Sequence, residues 1–300
     1  MPAASRLVLV CSLALFMLAM SWPTAVLTFA AGPDSASLAG TPIRSVYFRP
    51  PAGASTDASS HRPLQVLVAL HGMGGDGEAF ARELTDQADR YGWAIVAPTI
   101  AYGDWTDPAQ VAREDPVLIR ALLGYVDTIP ERTGWQVRPE VLLLGHSRGA
   151  QLAHRFAEFR PDRVLGVAVL SAGTYTLPGS GMSFPFGLTD LASYNAGQSF
   201  DASRFDDVRF WLGVGGDDTN AADLPRQWDR LEGSTRVQRA QAFGSALHAL
   251  NVHAQLRVFN GAKHDLTSDM RVSACSFLHR VASAPRSAVL GRLAAAPSAL

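Results

Sequence analysis

Three hundred residues allow one large domain or two small ones, and with 47% of them apolar a sizeable core can form. The net charge of −1, with no basic patch and no long charge run, excludes the electrostatic footprint of nucleic-acid binding. No repeat of solenoid type is present.

The chain opens on an apolar leader. Arg6 is the only charge before Asp34, Leu7 to Met20 is an apolar stretch, and mostly apolar residues continue to Ala31. This predicts a secretory signal peptide over residues 1–31, with Thr28-Phe29-Ala30 as a cleavage site, and hence secretion or export. The alternative is an uncleaved membrane anchor, since residues 7–31 are long enough to span a bilayer. Ser21-Trp22-Pro23-Thr24 interrupts the run and favours the signal peptide. Cleavage would leave Cys275 as the one cysteine, which excludes an internal disulfide. Cys275 falls in a late helical pattern and reads as a buried structural thiol.

Residues 32–42 are small and polar and read as a linker. Ile43 to Phe48 is a predicted strand, followed by a Pro-, Ala- and Ser-rich loop. Leu64 to Leu70 is an unbroken apolar run, hence a buried strand. Glu78 to Tyr91 is a helical pattern, with Phe80, Leu84 and Ala88 at spacing four. Trp93 to Ala97 is a strand. Asp115 to Ile129 reads as a helix with Asp115 as its cap and Pro116 in its first turn. Strands follow at Val141 to Leu144, Val164 to Leu170 and Val208 to Val214, with a helical pattern over Ala150 to Phe159. Helical sequence runs from Ala221 to about Leu250, then a strand over His253 to Phe259 and a helix over Leu266 to Val281. The tail, 283–300, is rich in Ala, Ser and Pro and is expected to fray. Short apolar strands alternating with helices predict an α/β domain over 43–282, a mostly parallel central sheet with helices on both faces.

One connection is unusually long. Ala172 to Asp207 separates two strands without a long helical pattern and carries Tyr175, Phe184, Phe186, Tyr194, Phe200 and Phe205 among glycines and prolines. Loops of this length in a compact domain are usually functional or disordered, and the aromatics argue against disorder. A small cap over 172–207 is expected, with Tyr175, Phe184 and Phe186 walling a substrate site.

Gly145-His146-Ser147-Arg148-Gly149 matches G-x-S-x-G between a predicted strand and a predicted helix. That is the context of a nucleophile elbow, in which a sharp turn exposes the serine hydroxyl above the sheet. A serine hydroxyl is a weak nucleophile at neutral pH, so it needs a base and the base needs an orienting carboxylate. In the α/β-hydrolase arrangement the order is serine, acid, histidine. Of the five histidines after Ser147, His154, His248 and His279 lie in helical patterns and His253 starts a strand. His264 alone lies in a loop following a strand. Asp217 and Asp218 follow the strand before it. The related pattern G-x-x-D-T, counted from Gly215, favours Asp218, and Asp217 is the alternative. A calcium loop starting at Asp218 fails, because its sixth position is Asp223 where a glycine is needed.

An oxyanion hole requires backbone N–H groups. One is expected from Arg148, the residue after the nucleophile. The other is expected from His71-Gly72-Met73-Gly74-Gly75, directly after the Leu64–Leu70 strand, with Met73 as the donor or else Gly72 or Gly74. His71 reads as a residue that holds this loop. The Arg148 side chain could bind a substrate carboxylate or pair with a neighbouring loop. Trp105 could line the pocket or pack.

With the elbow, the His-Gly-Met-Gly-Gly loop, Asp218 and His264 in order, residues 43–282 resemble the α/β-hydrolase superfamily. More narrowly, they look like its secreted esterase and polyhydroxyalkanoate-depolymerase-like branch. The resemblance implies a serine-dependent ester hydrolase acting through an acyl-enzyme on a small-molecule or polymeric ester. It implies no metal or organic cofactor, and the charge distribution argues against a nucleic-acid partner. Membrane association would arise only if the leader is retained. A serine peptidase or acyltransferase of the same fold, or a non-catalytic binding protein retaining it, are the alternatives.

Overall fold

The computed structural model describes residues 38–54 and 63–284. The expected leader, the first part of the linker and nearly all of the tail lie outside the described residues. No described helix is long and apolar enough to cross a membrane.

The elements in chain order are β1 (Ile43–Arg49), β2 (Gln65–Leu70), α1 (Gly77–Arg82), α2 (Thr85–Tyr91), β3 (Trp93–Ile100), α3 (Pro108–Asp127), α4 (Ile129–Thr133), β4 (Val141–His146) and α5 (Arg148–Phe159). They continue with β5 (Val164–Leu170), α6 (Ala202–Phe205), β6 (Arg209–Gly215), α7 (Asp229–Glu232), α8 (Arg236–Ala249), β7 (Ala254–Phe259) and α9 (Ser268–Ser283). The seven strands form one sheet in the order β1-β3-β2-β4-β5-β6-β7. Only β1 runs antiparallel to its neighbour. The expected α/β architecture is therefore present.

Alternation along the strands builds a core on each face. Val66, Val68 and Leu70 of β2 join Leu143, Val167, Val169, Phe210 and Leu212 on one side, under α3, α5 and α8. Leu67 and Ala69 join Leu142, Leu144, Ala168 and Leu170 on the other, against α1, α2 and α9. Burial on both faces explains why β2 reads as an unbroken apolar run. The edge strand β7 is largely exposed, which fits its mixed sequence.

Four expectations are corrected. Helix α3 begins at Pro108, capped by the Asp107 side chain on the Ala109 N–H (2.9 Å), so Pro116 lies inside the helix. Asp115 does not cap; its carboxylate is taken by two buried arginines. The Glu78–Tyr91 pattern is two short helices, and the stretch from Ala221 holds 3-10 turns and α7 before α8, which starts at a capping box of Thr235 and Gln238.

The fourth correction concerns residues 172–207. Tyr175, Phe184 and Phe205 turn into the core rather than forming a wall over the site, while Phe186, Tyr194 and Phe200 are half-buried. Tyr175 is buried and stacks on Phe243 (4.6 Å between centroids), and Phe184 packs edge-on to Phe159 (5.2 Å). Phe205 is fully buried, and Phe186 rests on Trp228. Large aromatic surfaces gain more from joining the core than from facing water.

Buried polar groups fix this segment to the domain. Glu232 accepts the Tyr175 backbone N–H on both carboxylate oxygens, at 3.1 Å each. Burial pushes its carboxyl from 4.5 up to about 8, against the pull of Arg239 and Arg155. Between those values the native state holds a proton that the unfolded chain releases, so stability falls as pH rises. The stabilising contribution is full below about 4.5 and gone above about 8. Glu232→Gln is expected to flatten this dependence. Thermal melts at mildly acidic and at alkaline pH should differ less for the variant than for wild type.

Candidate active site

The strand order reverses between β2 and β4, and in such sheets the carboxyl ends of the strands around that point form a crevice. Four loops from those ends meet here. β2 leads into His71-Gly72-Met73-Gly74-Gly75, β4 into Ser147, β6 into Asp217-Asp218, and β7 into the loop that carries His264.

Ser147 sits between β4 and α5 with φ 55° and ψ −117°, a conformation that costs energy in any residue with a Cβ. It is held by its N–H on the Leu170 carbonyl (2.8 Å), while its own carbonyl accepts from Ala150 and Gln151 in the first turn of α5. The flanking glycines allow the turn. A Cβ on Gly145 would lie 2.2 Å from the Gly149 carbonyl oxygen, and one on Gly149 would lie 2.1 Å from that of Leu70.

His264 reaches Ser147 from the opposite loop, with Nε2 at 2.9 Å from the serine Oγ and Nδ1 at 2.7 Å from Asp218 Oδ2. An ionised carboxylate only accepts, so Nδ1 carries the proton and Nε2 is free to accept from the Ser147 hydroxyl. Asp218 is buried and Asp217 is exposed. The Asp217 N–H donates to the Ala262 carbonyl (2.9 Å), which ties the Asp and His loops together. Of the two adjacent carboxylates, the structure therefore brings Asp218 to His264. Burial works against ionisation of Asp218, but the hydrogen bond from His264 and the charge of Arg236 outweigh it and hold its pKa below the ordinary value.

The His71 loop passes beside the serine. A Cβ built on Gly72 would lie 3.3 Å from the Ser147 Cβ. His71 is buried and accepts the Ile100 N–H at Nε2 (2.9 Å), so Nδ1 is the protonated nitrogen and donates to the Gly72 carbonyl (2.6 Å). Burial lowers its pKa and keeps this neutral tautomer. His71 thus clamps its own loop to β3. Met73, next in that loop, is exposed. Arg148 is the first residue of α5, and the first N–H groups of a helix have no partner within it.

The Arg148 side chain is buried and does not face a substrate. It pairs with Asp115 and, at 3.0 Å, with Glu114, both on α3 rather than on a loop. Arg155, seven residues on along α5, bonds Asp115 Oδ2 (2.9 Å) and the hydroxyls of Thr174 and Thr176. Trp105 is half-buried beside Gly173, just past the end of β5. Tyr175 and Phe184, expected at a substrate wall, belong to the core as described above. Phe186 lies half-buried against Trp228.

Two residues near the site escaped the sequence reading. His146, inside the elbow motif, lies with its ring 5.2 Å from that of His264. Burial and the neighbouring His264 push its pKa down to about 4, so it is neutral at physiological pH. Arg236 bonds the second oxygen of Asp218. Its only sequence signal was a position in what read as one long helix.

An open, mostly parallel sheet with a strained serine at a strand-to-helix turn defines the class. The sequence matches the alpha/beta hydrolase family over residues 67–295. The chain belongs to that family. A search of curated proteins found no match. Among solved structures the chain resembles poly(aspartic acid) hydrolase-1 from Sphingomonas sp. KT-1, at 20% identity and TM-score 0.57, over 78% of this chain and 91% of that one. It also resembles a carboxylesterase from Bacillus cereus, at 14% identity and TM-score 0.53, over 79% and 94%. A third neighbour is the CE1 ferulic acid esterase from Anaeromyces mucronatus, at 15% identity and TM-score 0.53, over 78% and 84%. At these identities the likeness is one of fold.

Proposed function

We propose that the protein is a serine-dependent carboxylic ester hydrolase working through an acyl-enzyme. The observation that carries this reading is the continuous hydrogen-bonded chain from Ser147 through His264 to Asp218, at 2.9 and 2.7 Å. Ser147 Oγ attacks the ester carbonyl carbon while His264 Nε2 takes the hydroxyl proton. The carbonyl oxygen becomes an oxyanion, which the backbone N–H groups of Arg148 and Met73 stabilise. Asp218 stabilises the imidazolium and fixes its tautomer. Collapse of the intermediate breaks the bond to the alkoxy oxygen, which leaves as the alcohol with the proton from His264. Water then attacks the acyl-enzyme by the same route and regenerates Ser147. The apolar leader supports export of the enzyme, as in the secreted esterase branch that the sequence resembles.

A fluorophosphonate probe tests the nucleophile. Wild type is expected to be labelled and Ser147→Ala is not; unlabelled wild type, or a labelled variant, overturns the reading. Turnover of p-nitrophenyl esters but not aminoacyl anilides supports esterase over peptidase action, and the reverse preference overturns that part.

A further inference from the structure

Asp218 has two carboxylate oxygens, and each is held by a different cation-capable group. Oδ2 faces His264. Oδ1 accepts from Arg236 Nη1 at 2.9 Å, with both side chains almost fully buried. Arg236 is the first residue of α8, and the capping box of Thr235 and Gln238 fixes where that helix begins. Its Nε is buried without a partner among the described residues. A guanidinium taken out of water needs strong compensation, and here Asp218 is the acceptor that supplies it.

We propose that Arg236 is a positioning residue for the Ser147–His264–Asp218 array: it pins the carboxylate plane of Asp218 and limits how strongly that carboxylate attracts a proton to His264. The inference rests on the esterase reading only for its kinetic arm. With one oxygen anchored, the carboxylate cannot swing away from Nδ1. With a guanidinium sharing its charge, it stabilises an imidazolium less than an unshared carboxylate would.

The other groups around His264 do not take over this role. His146 approaches from the end of β4 but is neutral at physiological pH. Asp217, on the β6 loop, and Lys263 and Asp265, on the histidine's own loop, are exposed, where solvent screens them.

The test compares Arg236→Gln and Arg236→Lys with wild type in the full chain. His264 is titrated by NMR of histidine-labelled protein, and kcat/KM is measured against pH with a p-nitrophenyl ester. In Arg236→Gln the imidazole is expected to titrate about one pH unit higher, because a nearby cation has been removed. The acid limb of kcat/KM should move by the same amount, with KM unchanged. Arg236→Lys keeps the charge and should titrate with wild type. If Arg236→Gln does not fold, Arg236→Met preserves the volume and carries the same expectation. A neutral variant that titrates with wild type, or a lysine variant that shifts as far as the neutral one, overturns the proposal. A wild type that resists the probe while the NMR shift persists overturns the esterase reading and leaves this one standing.

Discussion

Asp218→Asn is expected to lower kcat by about 10⁴-fold, as loss of the orienting charge does in a serine triad. The cause is local. An amide can turn its NH₂ towards His264 Nδ1, which then must accept rather than donate. The imidazole proton moves to Nε2, the atom 2.9 Å from Ser147 Oγ. A protonated Nε2 cannot take the serine proton. The variant also leaves Arg236 buried against a neutral group, so a thermal melt must accompany the kinetics to show that it is folded. Asp217→Asn is the control. That side chain is exposed, and it is Asp218 that holds His264 Nδ1, so kcat is expected to stay close to wild type. Steady-state hydrolysis of a p-nitrophenyl ester distinguishes them. A large loss in Asp217→Asn with a small one in Asp218→Asn would move the acid by one residue.

The contrast between these neighbours also shows what sequence can carry. β2, β4 and β5 were legible because strands buried on both faces must be apolar throughout, and Leu67, Leu142 and Ala168 have no alternative partner but core. The elbow was legible because its glycines answer to backbone contacts under 2.5 Å, which leave no choice of residue. His264 was legible by elimination, since the other histidines after Ser147 fall in periodic segments or at a strand's amino end. Long-range choices were not legible. Asp115-Pro116 and Asp107-Pro108 carry the same local start signal, and only the tertiary partners of Asp115 decide between them. Arg236 lies 18 residues from Asp218 in sequence, with no periodicity linking the two. The aromatics of 172–207 look alike in sequence whether they face a substrate or a core, because both environments reward the same surface.

Asp115→Ala is expected to destabilise the fold by about 3–5 kcal/mol, the cost of removing one partner from a buried ion pair. Asp115 is fully buried and serves both Arg148 and Arg155, also fully buried. Glu114 still pairs with Arg148 in the variant, so the loss falls chiefly on Arg155, which keeps only the two threonine hydroxyls. Arg113→Ala on the same helix is the comparison. Its 3.8 Å pair with Asp107 is exposed, and such pairs contribute about 1 kcal/mol or less. Urea denaturation at constant slope separates the two, with a midpoint that falls far more for Asp115→Ala. The cluster lies directly under the elbow, since Arg148 follows the nucleophile. Ser147 keeps its strained backbone only while its surroundings over-determine it. Asp115→Ala should therefore lose turnover of a p-nitrophenyl ester at temperatures below its own melting midpoint. Activity that tracks the melt would mean that the glycine contacts and the Leu170 hydrogen bond hold the serine without help from α3.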